Sequence, residues 1–201
     1  AAGNAAATVT RTVNVVDTTK PVIILTGDSS VTHEAATQYV DKGAIASDTY
    51  DGSSLSVTSN ADSVVNVNKV GTYVVTYTVS DAAGNKAEEK TRNVTVSDKT
   101  APIITLIGSG TVSHEAATEY VDKGATAKDS LDGDLTVIPA GSVDVTKIGS
   151  YTITYNVKDS AGNAAAEVQR VITVGDTSIP VITLLGEATL VHEAKSSYTD
   201  S

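Results

Sequence analysis

The sequence predicts an all-β protein built from tandem antiparallel β-sandwiches in a linear array, and three observations support this fold class. The motif at residues 17–21 returns at 98–102 and at 176–180, with offsets of 81 and 78 residues, which indicates one folding unit copied in tandem. No stretch keeps a helical period, whereas short runs rich in Val and Thr are separated by turn signals. The run 73–79 alternates Tyr and Val with Thr in the pattern of a half-buried strand.

The period also predicts the domain boundaries. Complete repeats cover residues 17–97 and 98–175, and a unit of about 80 residues is large enough to fold alone. Residues 1–16 are predicted to be the last strand of a preceding repeat, and residues 176–201 the first strands of a following, incomplete one. We therefore interpret the chain as a window on a longer array.

Each repeat is predicted to contain about seven short strands. Pro21 stands at a strand start, where proline costs no ladder hydrogen bond. In the first repeat the predicted strands are 22–26, 31–34, 43–47, 54–58, 64–67, 73–79 and 92–96, with turns at 48–52 and 81–85. The second repeat gives corresponding strands at 103–106, 124–127, 151–157 and 171–174.

Composition and charge restrict the partners. The net charge is −10, which disfavours nucleic acid and anionic lipid as ligands. No apolar run approaches the length of a membrane span, so no membrane insertion is predicted for this segment. The chain has no Cys and so forms no disulfide, which suits a secreted or surface protein of a bacterium. We expect an extracellular or cell-surface location.

The ordered motifs of each repeat resemble a bacterial immunoglobulin-like repeat, a family found in large surface adhesins, extracellular enzymes and pesticidal crystal proteins. Tyr73 and Tyr151, which begin the penultimate strands, resemble the tyrosine corner of such sandwiches. The resemblance is specific for the fold and implies that the modules are mostly spacers in their parent proteins. The motifs that carry it are 17–21, 33–35, 39–44, 48–52, 71–73 and 81–85, with second copies at 98–102, 114–116, 120–125, 129–133, 149–151 and 159–163.

No motif predicts catalysis. The His-Glu pairs that begin at His33, His114 and His192 would need a second His four residues later to hold zinc as metalloproteases do. Thr or Ser stands at that position instead. The sequence also has no nucleophile elbow, no thiol and no phosphate-binding loop. We therefore predict that the chain is not an enzyme.

The acidic turns predict a calcium site at each domain junction. In an immunoglobulin-like topology the second-to-third strand loop, the last hairpin and the incoming linker meet at the same end of the sandwich. Clustered carboxylates there would form an oxygen-rich site for Ca²⁺. The alternative is that each Asp caps its own turn and binds nothing. The three Asp in the loop of the second repeat predict that this repeat binds calcium more tightly than the first. The candidate ligands are Asp17, Asp48, Asp51, Asp81, Asp98, Asp129, Asp132, Asp134 and Asp159.

These observations favour a structural spacer or stalk module of a bacterial extracellular adhesin or fibre, rigidified by calcium at the domain junctions. Two alternatives remain. One is a self-assembling filament subunit joined by strand complementation, and the other is a carbohydrate-binding accessory module of a secreted enzyme. The predicted partners are neighbouring repeats of the same protein or filament, and the sequence names no target ligand.

Overall fold

The first repeat contains two β-sheets. The structure, a computed structural model, describes residues 2–199. One sheet pairs β1 with β3, and the other has the strand order β2-β6-β5-β4. The elements are β1 (Val22–Leu25), β2 (Ser30–Glu34), β3 (Ala44–Ser47), β4 (Thr58–Ser59), α1 (Ala61–Val64), β5 (Gly71–Thr78) and β6 (Lys90–Ser97).

The second repeat has the same plan, with sheets of order β10-β9-β7 and β11-β12-β13-β8. The all-β fold class is therefore confirmed. Its strands are β7 (Ile103–Leu106), β8 (Thr111–Glu115), β9 (Ala125–Asp129), β10 (Gly133–Leu135), β11 (Ile138–Ala140), β12 (Gly149–Asn156) and β13 (Val168–Gly175).

Residues 2–21 and 176–199 carry neither helix nor strand, and their assignment to neighbouring repeats stays a prediction. None of the helices formed by residues 2–199 has the length and apolar character that crossing a membrane requires.

The pairing is antiparallel except at one position in each repeat. β2 runs parallel to β6 over five residue pairs, from Ser30↔Asn93 to Glu34↔Ser97, and β8 runs parallel to β13 in the same way. The sandwiches were predicted as antiparallel, and this pair departs from that arrangement. The cause is a change of sheet: the chain kinks after β1 at Gly27, whose φ of 84° favours glycine. It then places β2 beside the last strand of the other sheet.

The core lies between the two sheets, as the alternating pattern predicted. Val75 and Tyr77 of β5 and Val94 of β6 are fully buried, and they pack in one cluster with Ile23 and Ala46 of the β1–β3 sheet. The second repeat buries the corresponding side chains of Ile104, Ala127, Ile153, Tyr155, Ile172 and Val174.

The tyrosine corner is confirmed in both repeats. The Tyr73 hydroxyl donates to the Lys69 carbonyl at 2.8 Å, and the Tyr151 hydroxyl donates to the Lys147 carbonyl at 2.8 Å. Each bond fixes the start of a long central strand to the loop before it.

One predicted strand of the first repeat is wrong. Residues 64–67 were expected to be extended, but α1 forms a single helical turn in which the Asn60 carbonyl accepts the amides of Ser63 and Val64 at 3.1 Å. Ala61 is buried and Val64 packs against the core from this turn. A short apolar pair can thus reach the core from a turn as well as from a strand, so its pattern does not distinguish the two. The strand predicted at 54–58 is reduced to β4.

A buried arginine joins the two sheets of the first repeat. Arg92 on β6 is 1 % exposed. Its guanidinium donates to the carbonyl oxygens of Thr26 (2.6 Å) and Asp28 (2.9 Å), in the chain that follows β1. It also donates to the Tyr77 hydroxyl at 2.8 Å and forms an ion pair with Asp41. A charge can remain this deeply buried because the guanidinium N–H groups have acceptors and Asp41 supplies a counter-charge.

The second repeat copies this network. Arg170 is 1 % exposed, donates to the carbonyls of Ile107 (2.7 Å) and Ser109 (3.0 Å), and pairs with Asp122. Tyr155 donates to the same carboxylate at 2.7 Å. The sequence did not predict this pair, because an Arg in an alternating strand is normally assigned to the solvent face.

Protonation of the two carboxylates is linked to stability. Burial raises the pKa of Asp41, but hydrogen bonds from Tyr77 and Arg92 and the charge of Arg92 lower it by more, so the net pKa is below its ordinary value. The pKa of Asp122 is lowered through the same balance with Tyr155 and Arg170. Burial and the neighbouring Asp122 carboxylate raise the pKa of Tyr155 to about 12.

Replacing Asp41 by Asn should destabilise the first repeat by about 3 kcal/mol, since the Arg92 charge would stay buried without a counter-charge. Urea unfolding measures this loss, with hydrogen exchange of the first repeat's amides as the readout. Glu88→Gln is the control, because it breaks the exposed ion pair between Lys20 and Glu88, and it should change the unfolding midpoint very little. Equal midpoints for both variants would contradict the role given to the buried pair.

Acid should unfold the protein through the same two carboxylates. Because their pKa values are lower in the folded than in the unfolded state, they stabilise the fold fully above about pH 4, the ordinary Asp value. This contribution is lost as the pH falls through the folded-state values. As the pH is lowered below about 4, the urea concentration at the unfolding midpoint of the wild type should therefore decrease. The double variant Asp41→Asn/Asp122→Asn should start lower and show a flatter acid limb, and parallel curves would refute this assignment.

Candidate metal centres

The His-Glu motif has no metal-ligand geometry. His33 Nε2 lies 3.1 Å from the Thr37 hydroxyl, and the ring packs edge-on against Tyr39 with centroids 5.2 Å apart. The pair His114 and Thr118 repeats this contact at 3.1 Å. The hydroxyl residue that stands where a second zinc ligand would be needed is therefore a hydrogen-bond partner of the His.

The Glu of the motif holds the linker that follows the repeat. Glu34 Oε1 accepts hydrogen bonds from the amides of Lys99 (2.9 Å) and Thr100 (3.0 Å) and from the Thr100 hydroxyl (2.7 Å). We call this contact the linker clamp. The hydrogen bonds that the Lys99 amide and the Thr100 hydroxyl donate to Glu34 are the main reasons that its pKa is lowered.

The second repeat has an equivalent linker clamp. Glu115 accepts from the amides and hydroxyls of both Thr177 and Ser178. The Thr177 hydroxyl is the largest of the causes that lower the pKa of Glu115 to about 2. The clamp escaped sequence analysis, although the recurrence of Glu, the linker Asp and a hydroxyl residue in every copy was a signal for it.

The first acidic cluster combines three of the predicted ligands. Carboxylate oxygens of Asp17, Asp48 and Asp81 lie within 4.8 Å of one another. Asp17 stands in the segment before β1, Asp48 directly follows β3, and Asp81 begins the hairpin after β5. The three side chains therefore come from three separate parts of the repeat.

The second acidic cluster consists of Asp98, Asp129 and Asp132, again with oxygens within 4.8 Å of one another. Asp98 and Asp129 hold the positions of Asp17 and Asp48 in the first repeat, at an offset of 81 residues. Both are buried, with 7 % and 4 % of their surface exposed.

In each cluster, one oxygen of the Asp that follows the strand, Asp48 or Asp129, caps a local turn. Asp48 Oδ1 accepts the amides of Tyr50 (2.7 Å) and Asp51 (3.2 Å), and Asp129 Oδ1 accepts those of Leu131 (2.7 Å) and Asp132 (3.0 Å). The capping alternative thus accounts for one oxygen of each side chain. The other oxygen, Oδ2, is buried and accepts no hydrogen bond from the described residues in Asp17, Asp48, Asp98 and Asp129.

Acids within and beside the clusters also accept hydrogen bonds. Asp51 Oδ2 accepts the Ala82 amide at 2.8 Å, and Asp132 accepts the Ser160 amide at 2.6 Å, so both connect their loop to the last hairpin. Asp159 accepts from the backbone and side-chain amides of Asn163, each at 2.7 Å.

Asp134 lies outside the clusters. It is exposed in β10, where its backbone pairs with that of Lys128. The prediction that the second repeat binds calcium more tightly because its loop carries three Asp therefore loses its basis.

The electrostatics of the second cluster are unfavourable to a bare carboxylate. Burial raises the pKa of Asp98, and the charges of Asp129, Asp159 and Glu34 raise it further. None of the Lys or Arg ion pairs found among residues 2–199 includes a cluster aspartate. Like charges at this proximity repel unless a cation lies between them.

Known proteins resemble parts of this chain in sequence. A protein of Acholeplasma phage L2, described only by its mass of 81.3 kDa, is 32 % identical over 164 residues, which cover 75 % of this chain and 22 % of that protein. The pesticidal crystal protein Cry22Aa of Bacillus thuringiensis is 34 % identical over 120 residues, covering 57 % of this chain and 16 % of its own length. The chain thus spans less than a quarter of either relative.

Among solved structures, the lipoprotein BT2262 from Bacteroides thetaiotaomicron is 26 % identical and has a TM-score of 0.35, with 39 % of this chain and 40 % of that chain covered. The domain described as "Bacterial surface protein, Ig-like domain" matches residues 23–96 and again residues 104–174. The two matched segments include the paired sheets, tyrosine corner and buried Arg of each repeat. This chain therefore belongs to the Ig-like domain family of bacterial surface proteins and carries that domain twice.

Proposed function

We propose that the two repeats are a non-catalytic spacer of a bacterial extracellular protein, such as an adhesin or fibre. Under tension they stay folded and so keep their length. The observation that carries this proposal is the parallel pairing of the second strand of each repeat with its last strand. β2 pairs with β6, and β8 pairs with β13, over five residue pairs each.

Tension along the chain acts on this pair in shear. A pull on the N-terminal side of β2 and on the C-terminal side of β6 draws two parallel strands past each other. Their hydrogen bonds lie across the direction of force, so several must break together. Backbone bonds beyond the strand ends extend the ladder, since the Asn93 amide donates to the Ser29 carbonyl at 2.8 Å and the Ala35 amide to that of Ser97 at 2.9 Å.

The linker clamp supports the same role. Glu34 is the last residue of β2 and accepts hydrogen bonds from the amides of residues 99 and 100. The segment that leaves the repeat is therefore fixed to the sheared strand pair. Charge-assisted hydrogen bonds of this kind are stronger than neutral ones. A cation in the acidic cluster would add to this restraint, because Asp98 stands in the same segment. The neighbouring repeats of the parent protein are the partners that such a spacer needs.

Single-molecule stretching of the chain between handles should give two unfolding events. Each should lengthen the chain by about 25 nm, because roughly 75 residues extend by about 3.5 Å each. His33→Pro should lower the force of one event, because the alternation of the parallel ladder directs the His33 amide toward β6.

Thr32→Pro is the matched control, because the Thr32 amide points away from β6, where an edge strand tolerates proline. His33→Ala accounts for the lost imidazole. Both controls should keep the wild-type forces. Equal weakening by the two proline variants, or a wild type that unfolds without resolvable force, would count against the mechanical role.

Glu34→Gln should loosen the linker without unfolding the repeat. The exchange of the Lys99 and Thr100 amides with deuterium should speed up several-fold, since the neutral amide oxygen is a weaker acceptor. The amides of β5 should exchange at their wild-type rates. Glu89→Gln, at an exposed position before β6, is the control and should leave both sets unchanged. Unaltered exchange at Lys99 and Thr100 in Glu34→Gln would show that the clamp does not restrain the linker.

A further inference from the structure

We propose that each acidic cluster binds one Ca²⁺, so that the chain carries two calcium sites, one formed by Asp17, Asp48 and Asp81 and one by Asp98, Asp129 and Asp132. This proposal does not depend on the spacer function, because a sandwich sheared through its parallel strands can resist force with or without a metal. The two proposals therefore succeed or fail separately.

The distances fit Ca²⁺. Calcium binds oxygen ligands at about 2.3–2.6 Å, so two ligands on opposite sides of the ion are about 4.6–5.2 Å apart. The three carboxylate oxygens in each cluster lie within 4.8 Å of one another. All three can therefore coordinate one ion directly. The ligands are oxygens alone, which favours a hard cation over zinc or copper.

Oxygens without partners are the independent observation. Asp98 and Asp129 are more than nine-tenths buried, and Oδ2 of each accepts no hydrogen bond from the residues of the described chain. Oδ2 of Asp17 and Asp48 is in the same state in the first cluster. A buried carboxylate oxygen without a partner destabilises a fold. Its recurrence at equivalent positions of two copies points to a ligand for it.

The turn hydrogen bonds orient these oxygens. Because Oδ1 of Asp129 is held by two backbone amides, the carboxylate has little freedom and Oδ2 remains available. Oδ1 of Asp98 accepts one such bond, from the Thr100 amide at 3.2 Å. The site is thus organised before the metal arrives, which reduces the entropy lost on binding.

The net charge of the site favours a divalent ion. The negative charges of Asp159 and Glu34 add to those of the three carboxylates in the second cluster. No Lys or Arg of residues 2–199 forms an ion pair with a cluster carboxylate. A bound Ca²⁺ would offset this repulsion and hold the segment before β7 against the loop after β9.

Calorimetric titration of the EDTA-treated 201-residue chain with CaCl₂ tests the proposal. The expected result is two ions per chain with submillimolar dissociation constants, as in other extracellular calcium modules, and a melting temperature that rises by several degrees. No heat and no rise in melting temperature would overturn it. A parallel titration with MgCl₂ of equal affinity would overturn the assignment to calcium.

Asn variants separate a ligand from a turn cap. Asp129→Asn keeps an Oδ1 acceptor for the turn but removes the charge, so it should bind one ion instead of two. Asp48→Asn/Asp129→Asn should bind none, and the exposed Asp134→Asn is the matched control that keeps two. Without calcium, Asp129→Asn should melt at or above the wild-type temperature, because the repulsion is reduced. Two ions bound to Asp129→Asn, or a lower melting temperature both with and without calcium, would reduce Asp129 to a cap.

Discussion

The buried ion pair between a strand arginine and a loop aspartate is the constraint on which each sandwich depends. Arg92 extends from β6 across the core to the carbonyls behind β1 and to Asp41. It connects the last strand with the opposite sheet in a chain that has no Cys to form a disulfide there. Since a buried guanidinium tolerates few arrangements of its acceptors, the pair also fixes where β1 ends and β3 begins. The buried core of each repeat consists of Val, Ile and Ala around one Tyr.

Much of this architecture was predictable because it depends on local chemistry. The alternation in β5 and β12, the turns at 48–52 and 81–85 and the tyrosine corner each follow from a few neighbouring residues. The parallel pair was not predictable, because it depends on which sheet β2 joins after the kink at Gly27. Residues 64–67 were mistaken for a strand because Val64 and Val65 carry no period of their own. Arg92 was missed because burial of a cation depends on acceptors about 50–65 residues earlier in the sequence.

The candidate site was predictable to a similar degree. The recurrence of Asp in three loops predicted that they meet, because loops at one end of a sandwich converge. Which acids converge depends on side-chain direction within each loop. Asp134 lies only two residues from Asp132, yet it belongs to β10 and is exposed. The contrast between capping and metal binding also proved too simple, because a carboxylate has two oxygens and one of them can serve each purpose.

The linker joins these separate features. Residues 98–100 follow the end of β6, which lies in the parallel pair with β2. Glu34 holds the amides of Lys99 and Thr100, and the carboxylate of Asp98 belongs to the second acidic cluster. Glu34 holds two of these residues through hydrogen bonds, yet its charge disfavours the ionised form of the third, Asp98, as do the charges of Asp129 and Asp159. A cation at Asp98 would convert this conflict into mutual support, because its charge attracts both carboxylates. Stiffness of the linker and occupancy of the cluster are then thermodynamically linked, and each strengthens the other.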